Sequence, residues 1–473
     1  MLSNKQRFIK NLGFLYLSRI IIIIFSLLIN IIIIKRLGSS IYGDFAFGLT
    51  FVQYFIIFAD LGLSQYGMVE VSNNIENVNF IVNDIVSANL ILSTLSFIAI
   101  LFLANILKFG HIQKEILYIF AFLPLINSIS VSWTITGLEK NFLFSISNLI
   151  GKTLYIVLLY LLVLDKNYYF IAAIILLSSN FIVSLIQFLY IKKFISSFRF
   201  SLNKFWVTLK KGLPFGIMSG LFFIYGSLPI IFLKIFNTNK DIGYYYISYK
   251  FIFFIFTLFH LVSNASLPVI KSAVNNKDIN KEKNAINELL RFGYTFAIPA
   301  SFGIFAISHN LINLILGIKF IFVARLLKIM AISIIFGTLG SIMIGYLTVK
   351  TLKTSIIKVG LLSSLYGLIS GYLLIRYFGI YGAAILFLSI ELVVMLLLIF
   401  ITKSQVKMEI NLLNLIKVVL SASLMAIIVI ILNQGLILSI IIGAAIYFIL
   451  SLSLKTITKK DLNEIKTAIY TLF

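Results

Sequence analysis

Among the charged side chains inside long apolar runs are Arg19, Asp60, Lys152, Lys250 and Glu391. A charge at membrane depth costs several kcal/mol unless it faces protein or water, so each is a candidate for binding or for coupling. Arg19 and Asp60 sit about 10 Å from the near ends of two successive runs, if those runs are antiparallel helices. Two readings stay open for them, a structural ion pair and a polar element of a transport cavity. Lys152 in the fifth run and Lys250 in the eighth add further cations. Together with Arg19 they describe a basic interior suited to an anionic group such as a diphosphate, which takes charge-assisted hydrogen bonds in a low-dielectric space. Glu391 falls near the middle of the twelfth run. It reads either as a neutral or lysine-paired structural carboxyl or as a site for H+ or Na+ coupling; Asp60 shares the gating or coupling role.

Other chemistries find little support. The chain has no cysteine and three histidines, at 111, 260 and 309, far apart in sequence. That excludes disulfides and thiolate metal sites and leaves no histidine cluster for a metal. No P-loop is present, so ATP hydrolysis within the chain is not expected. No cofactor and no catalytic residue are expected, and the chain does not read as an enzyme. The net charge is +23, but the basic residues are scattered over short loops. Nucleic acid is not an expected partner.

The elements that must position these groups follow from composition. Of 473 residues, 60% are hydrophobic and 12% charged, against about 45–50% and about 25% in soluble domains. This is an all-α integral membrane protein of about 14 transmembrane helices by run length. The first run is too long for a signal peptide and lacks a small-residue cleavage site. Lys and Arg crowd the loops of one side, as in Lys192, Lys193, Arg199, Lys204, Lys210 and Lys211. The positive-inside rule then places both termini in the cytoplasm.

Two long polar connections divide the chain. The expected organisation is a six-helix lobe over 1–191, an amphipathic cytoplasmic linker over 192–211, a second six-helix lobe over 212–402, and two additional helices with a tail over 403–473. Phe194, Phe198, Phe200, Phe205 and Trp206 interleave with lysines in the linker, which suits a helix lying on the inner leaflet. The stretch 271–291 reads as a solvated cytoplasmic helix. A weak repeat supports two related lobes: Asp241-Ile242-Gly243 follows its span much as Ile41-Tyr42-Gly43 follows the first.

The run Lys35-Arg36-Leu37-Gly38-x-x-x-Tyr42-Gly43, then Gln53-Tyr54-Phe55-x-x-x-Ala59-Asp60-Leu61-Gly62-Leu63, resembles the N-terminus of bacterial polysaccharide flippases. These are the Wzx-type transporters of the multidrug/oligosaccharidyl-lipid/polysaccharide exporter (MOP) superfamily. Arg376-Tyr377-Phe378-Gly379-Ile380-Tyr381-Gly382-Ala383-Ala384 is similar to a later turn of the same exporters. The resemblance implies two six-helix bundles around a central cavity, in a bacterial plasma membrane. It implies a lipid-linked oligosaccharide as substrate, carried on undecaprenyl diphosphate for O-antigen or capsule synthesis by alternating access. Membrane lipid, a coupling ion, a polysaccharide polymerase and a chain-length regulator are the partners it implies. Arg19, Lys250 and Lys152 would then hold the substrate. The rival readings are an ion-coupled multidrug exporter of the same superfamily, and a membrane glycosyltransferase or polysaccharide polymerase.

Overall fold

The computed structural model describes residues 4–195, 198–201, 204–265, 267–275, 278–409 and 411–458, with only the backbone described for 4–16, 262, 264, 265, 268 and 269. All regular structure among them is helical. Long apolar runs with no competing polar partner leave the backbone one way to satisfy its own hydrogen bonds inside a membrane, and that is the helix. The chain divides into two compact units, Met1–Gly243 and Tyr244–Phe473.

The first unit begins with α1 (Asn4–Asp60), which is two helical arms joined at Gly38, whose φ of 79° lies outside the helical region. Then follow α2 (Leu63–Asn73), α3 (Val78–Ile106), α4 (His111–Phe120), α5 (Phe122–Ile129), α6 (Ser132–Gly137), α7 (Asn141–Leu162), α8 (Tyr169–Ile191) and α9 (Phe205–Phe236). The first residues of α10 (Asn239–Ala265) close it. Its core gathers Leu63, Val71, Val82, Ile85, Trp133, Ile135 and Ile191 from α2, α3, α6 and α8. Helix α9 packs on α1, α2 and α3.

The second unit continues with α11 (Leu267–Asn275), α12 (Ile279–Ile315), α13 (Ile321–Ala331), α14 (Ser333–Val349), α15 (Lys353–Gln405), α16 (Leu412–Leu432) and α17 (Leu436–Ser453). Helix α15 repeats the device of α1: Gly379, with φ 54° and ψ −132°, separates two arms. Tyr294, Ile298, Val418, Ala422, Met425 and Tyr447 form a core between α12, α16 and α17.

Among the described residues, eleven helices are long and apolar enough to cross a membrane, or twelve if the pair α13 and α14, bent by 46°, is one span. The expected fourteen is reached only when α1 and α15 are each divided at their glycine. The protein is a multi-pass integral membrane protein in either count.

Two connections differ from expectation. The 192–211 stretch is not one helix. Helix α8 ends at Ile191, 198–201 is non-helical, and the residues from Phe205 onward already belong to α9. The reason is that side chains of α3 take the segment's backbone donors. Asn83 Oδ1 accepts from the Arg199 amide at 3.3 Å, and Ser87 Oγ accepts from the Ser201 amide at 3.0 Å, tying the segment to α3. The 271–291 stretch is likewise not wholly solvated. Glu282, in the first turn of α12, is buried; it pairs with Lys350 Nζ at 2.7 Å and accepts from the Tyr346 hydroxyl.

Candidate functional site

Asp60 ends the second arm of α1. Leu61 and Gly62 then turn left-handed, at φ 40° and 78°, and α2 starts at once. The Asp60 carboxylate accepts from the amides of Gly62 and Ser64, both at 3.1 Å, and from the Ser64 hydroxyl. Its negative charge is therefore held at the N-terminus of α2, where free N–H groups and the helix dipole favour it. Of the two readings open for Arg19 and Asp60, the ion pair is absent among the described residues. Arg19 lies exposed on the first arm of α1, and no ion pair among the described residues includes it.

Asp60 also lines a cavity of about 400 Å3 inside the first unit. Helix α1 contributes Gln53 and Asp60, α2 Ser64, and α3 Asn89 and Ser93. Asn127 and Ser128 come from α5, Ser132 from α6 and Ser219 from α9. The i, i+4 spacing of Asn89 and Ser93 on α3 puts both on one helical face, while Asp60 and Ser64 are brought together across the turn between α1 and α2. Ser130, between α5 and α6, also lines the cavity and donates to Gln187 Oε1 at 3.3 Å; Gln187 in turn donates to Ser147 at 3.1 Å, so a second polar layer backs the first. Among the described lining residues Asp60 is the one charge; no Lys, Arg or His takes part.

A second polar cluster in this unit was not singled out in the sequence. Lys234, at the end of α9, donates to Gln113 Oε1 at 2.7 Å and to Asn239 Oδ1 at 3.0 Å. Asn239 donates to the buried carboxylate of Asp44 at 2.7 Å. Beside it α10 crosses α1 backbone to backbone: a Cβ on Gly43 would lie 1.7 Å from the Asn239 oxygen, and one on Gly243 would lie 2.0 Å from the Ser39 oxygen. The two tripeptides that carry the weak repeat thus meet each other at their glycines.

The remaining candidates are dispersed. Lys152 is half-buried on α7. Lys250, in the second unit, lays its ammonium over aromatic rings of its own helix: Tyr246 at 4.5 Å, Tyr249 at 5.7 Å and Phe253 at 5.9 Å from the centroids. Such cation–π contacts hold a cation where water is scarce. Glu391, on the second arm of α15, sits against Gly337 of α14, where a Cβ would come within 3.2 Å of its Oε2. No ion pair among the described residues includes Glu391. The second unit also holds an apolar groove of about 410 Å3, lined by Pro299 and Gly303 of α12, Met425 of α16, and Gly443 and Tyr447 of α17.

Residues 8–274 match the model of a family described as polysaccharide biosynthesis protein. The chain belongs to that family. Its fold is shared with solved membrane transporters. The lipid II flippase MurJ, in an inward closed conformation, superposes with a TM-score of 0.78 over 93% of this chain and 98% of its own, at 16% identity. An inward-facing multidrug resistance MATE transporter of the MOP superfamily gives 0.66 over 81% and 94%, at 13% identity. A MOP superfamily transporter from Pyrococcus furiosus, described as having a binding pocket of reversed polarity, gives 0.58 over 86% and 99%, at 14% identity. No curated protein matches in sequence. This member of the polysaccharide biosynthesis family therefore has the MurJ and MATE fold, and the resemblance drawn from Lys35–Leu63 holds at the level of family and fold.

Proposed function

We propose that this protein flips lipid-linked oligosaccharide units across the bacterial plasma membrane for surface polysaccharide synthesis, O-antigen or capsule, with the lipid carrier an undecaprenyl diphosphate. The observation that carries this reading is the Ser- and Asn-lined cavity within membrane-spanning helices of a polysaccharide biosynthesis family member. Hydroxyl and amide groups are the complement of a sugar, since each can donate and accept. A pocket for hydrophobic drugs is instead lined mostly by apolar and aromatic side chains. The apolar groove of the second unit offers a surface of the kind an isoprenoid tail requires. Arg19 and Lys152 in the first unit, and Lys250 in the second, are the cations assigned to the diphosphate. Glu391 is the carboxyl assigned to coupling with H+ or Na+; Asp60 is assigned to the glycan cavity. The working cycle is alternating access, with both termini in the cytoplasm.

The test is direct. The full chain is placed in proteoliposomes with a fluorescent undecaprenyl-diphosphate oligosaccharide, and lipid exposed on the far leaflet is read with an impermeant glycosidase. Transfer above empty liposomes is expected. Absence of transfer, together with uptake of an organic cation such as ethidium, would replace this reading with the multidrug exporter.

A further inference from the structure

We propose that the cavity of the first unit is a subsite for an uncharged sugar bearing hydroxyl and amide groups, and that it rejects acidic sugars. The inference rests on the flippase reading and narrows its substrate. A chain with net charge +23 has cations to spare, yet none lines this cavity among the described residues. Its one charge is the Asp60 carboxylate. A uronic or other acidic sugar would bring a second carboxylate beside it, and like charges juxtaposed out of bulk water cost several kcal/mol.

The lining also offers what a neutral sugar uses. A carboxylate has about four acceptor positions, and three donors already reach Asp60, which leaves acceptor capacity for a sugar hydroxyl. Asn89 is 4% exposed and its Oδ1 has no hydrogen-bond partner. A buried acceptor left unmade costs about 1–3 kcal/mol, and a hydroxyl or an acetamido N–H would satisfy it. Asn127 and Ser219 face the same space from α5 and α9 and complete a ring of groups that can both donate and accept. The volume of about 400 Å3 lies within the ~300–1,000 Å3 of ligand pockets.

Two probes separate the outcomes: undecaprenyl diphosphate carrying N-acetylglucosamine, and the same lipid carrying glucuronic acid. Their flipping by the full chain is compared in proteoliposomes. The wild type should move the neutral lipid at least about tenfold faster, which asks for only about 1.4 kcal/mol of the like-charge penalty. Asn127→Lys places a cation in the cavity from an exposed position and should narrow or reverse that ratio; Ser219→Lys does the same from another helix. Equal rates in the wild type, or an unchanged ratio in both lysine variants, would overturn the subsite and leave the flippase standing. Transfer of neither lipid by the wild type would overturn both. The wild-type ratio needs no variant to fold.

Discussion

Asp60 shows how one hydrogen-bond partner redirects the reading of a charge. A carboxylate facing Arg19 across a hairpin and one capping α2 have the same sequence, and the structure contains the second. The two arrangements predict different mutants. Asp60→Ala should destabilise the protein by about 0.5–2 kcal/mol, the usual cost of losing a cap, whereas Asp60→Asn should keep most of that contribution. Arg19→Ala should leave the melting temperature in detergent unchanged, because among the described residues no ion pair includes its charge. A melting temperature that falls as far in Arg19→Ala as in Asp60→Ala would restore the ion pair. Lys250 belongs to the same scale. Its ammonium already has the ring of Tyr246 beneath it; Lys250→Met should therefore accumulate normally while flipping of the diphosphate lipid falls by at least about tenfold, as loss of one charge-assisted contact implies. Wild-type flipping by Lys250→Met would remove the residue from the site.

At the scale of elements, the glycines sort by what a Cβ would meet. Gly43 and Gly243 admit none, since each presses on a backbone oxygen of the opposing helix, and backbone cannot rotate away as a side chain can. Gly43→Ala and Gly243→Ala should each force α1 and α10 apart there and strain the Asp44–Asn239–Lys234 cluster, lowering yield and melting temperature. Gly226, inside α9, meets nothing within 4 Å. Gly226→Ala should be neutral or stabilising by up to ~1 kcal/mol, the helix propensity difference between the two residues. Melting curves of the three variants in one detergent decide the matter: a Gly43→Ala protein as stable as Gly226→Ala would mean that the close crossing is not what holds these helices.

At the scale of the molecule, orientation in the membrane remains a proposal that a single helix can test. Helix α8 spans Tyr169–Ile191, with Asn167 exposed before it and Lys193 exposed after it. The chain has no cysteine, so Asn167→Cys and Lys193→Cys each provide one label site. In intact cells an impermeant maleimide should reach Asn167→Cys and not Lys193→Cys, as the crowding of basic residues after α8 requires. The opposite labelling pattern would invert the protein and place its termini outside.

Membrane insertion, helical class and family were legible in sequence because each depends on composition and local order. A run of apolar residues spans a membrane whatever it packs against, and Gln53 through Leu63 carry their resemblance as a string. The intramembrane charges were legible one at a time for the same reason. Their partners were not. Whether Asp60 meets Arg19 or the amide of Ser64 depends on left-handed turns at Leu61 and Gly62, and the three-dimensional path of the chain decides that. The polar cavity is not legible in the sequence because single serines and asparagines in apolar helices often bond back to their own turn, as Ser219 does. The spacing of Asn89 and Ser93 was the available signal, but only packing reveals that α1, α2, α3, α5, α6 and α9 turn such faces toward one space. Composition thus determined that this protein lives in a membrane, while the convergence of distant helices decided where within it polar side chains face one space.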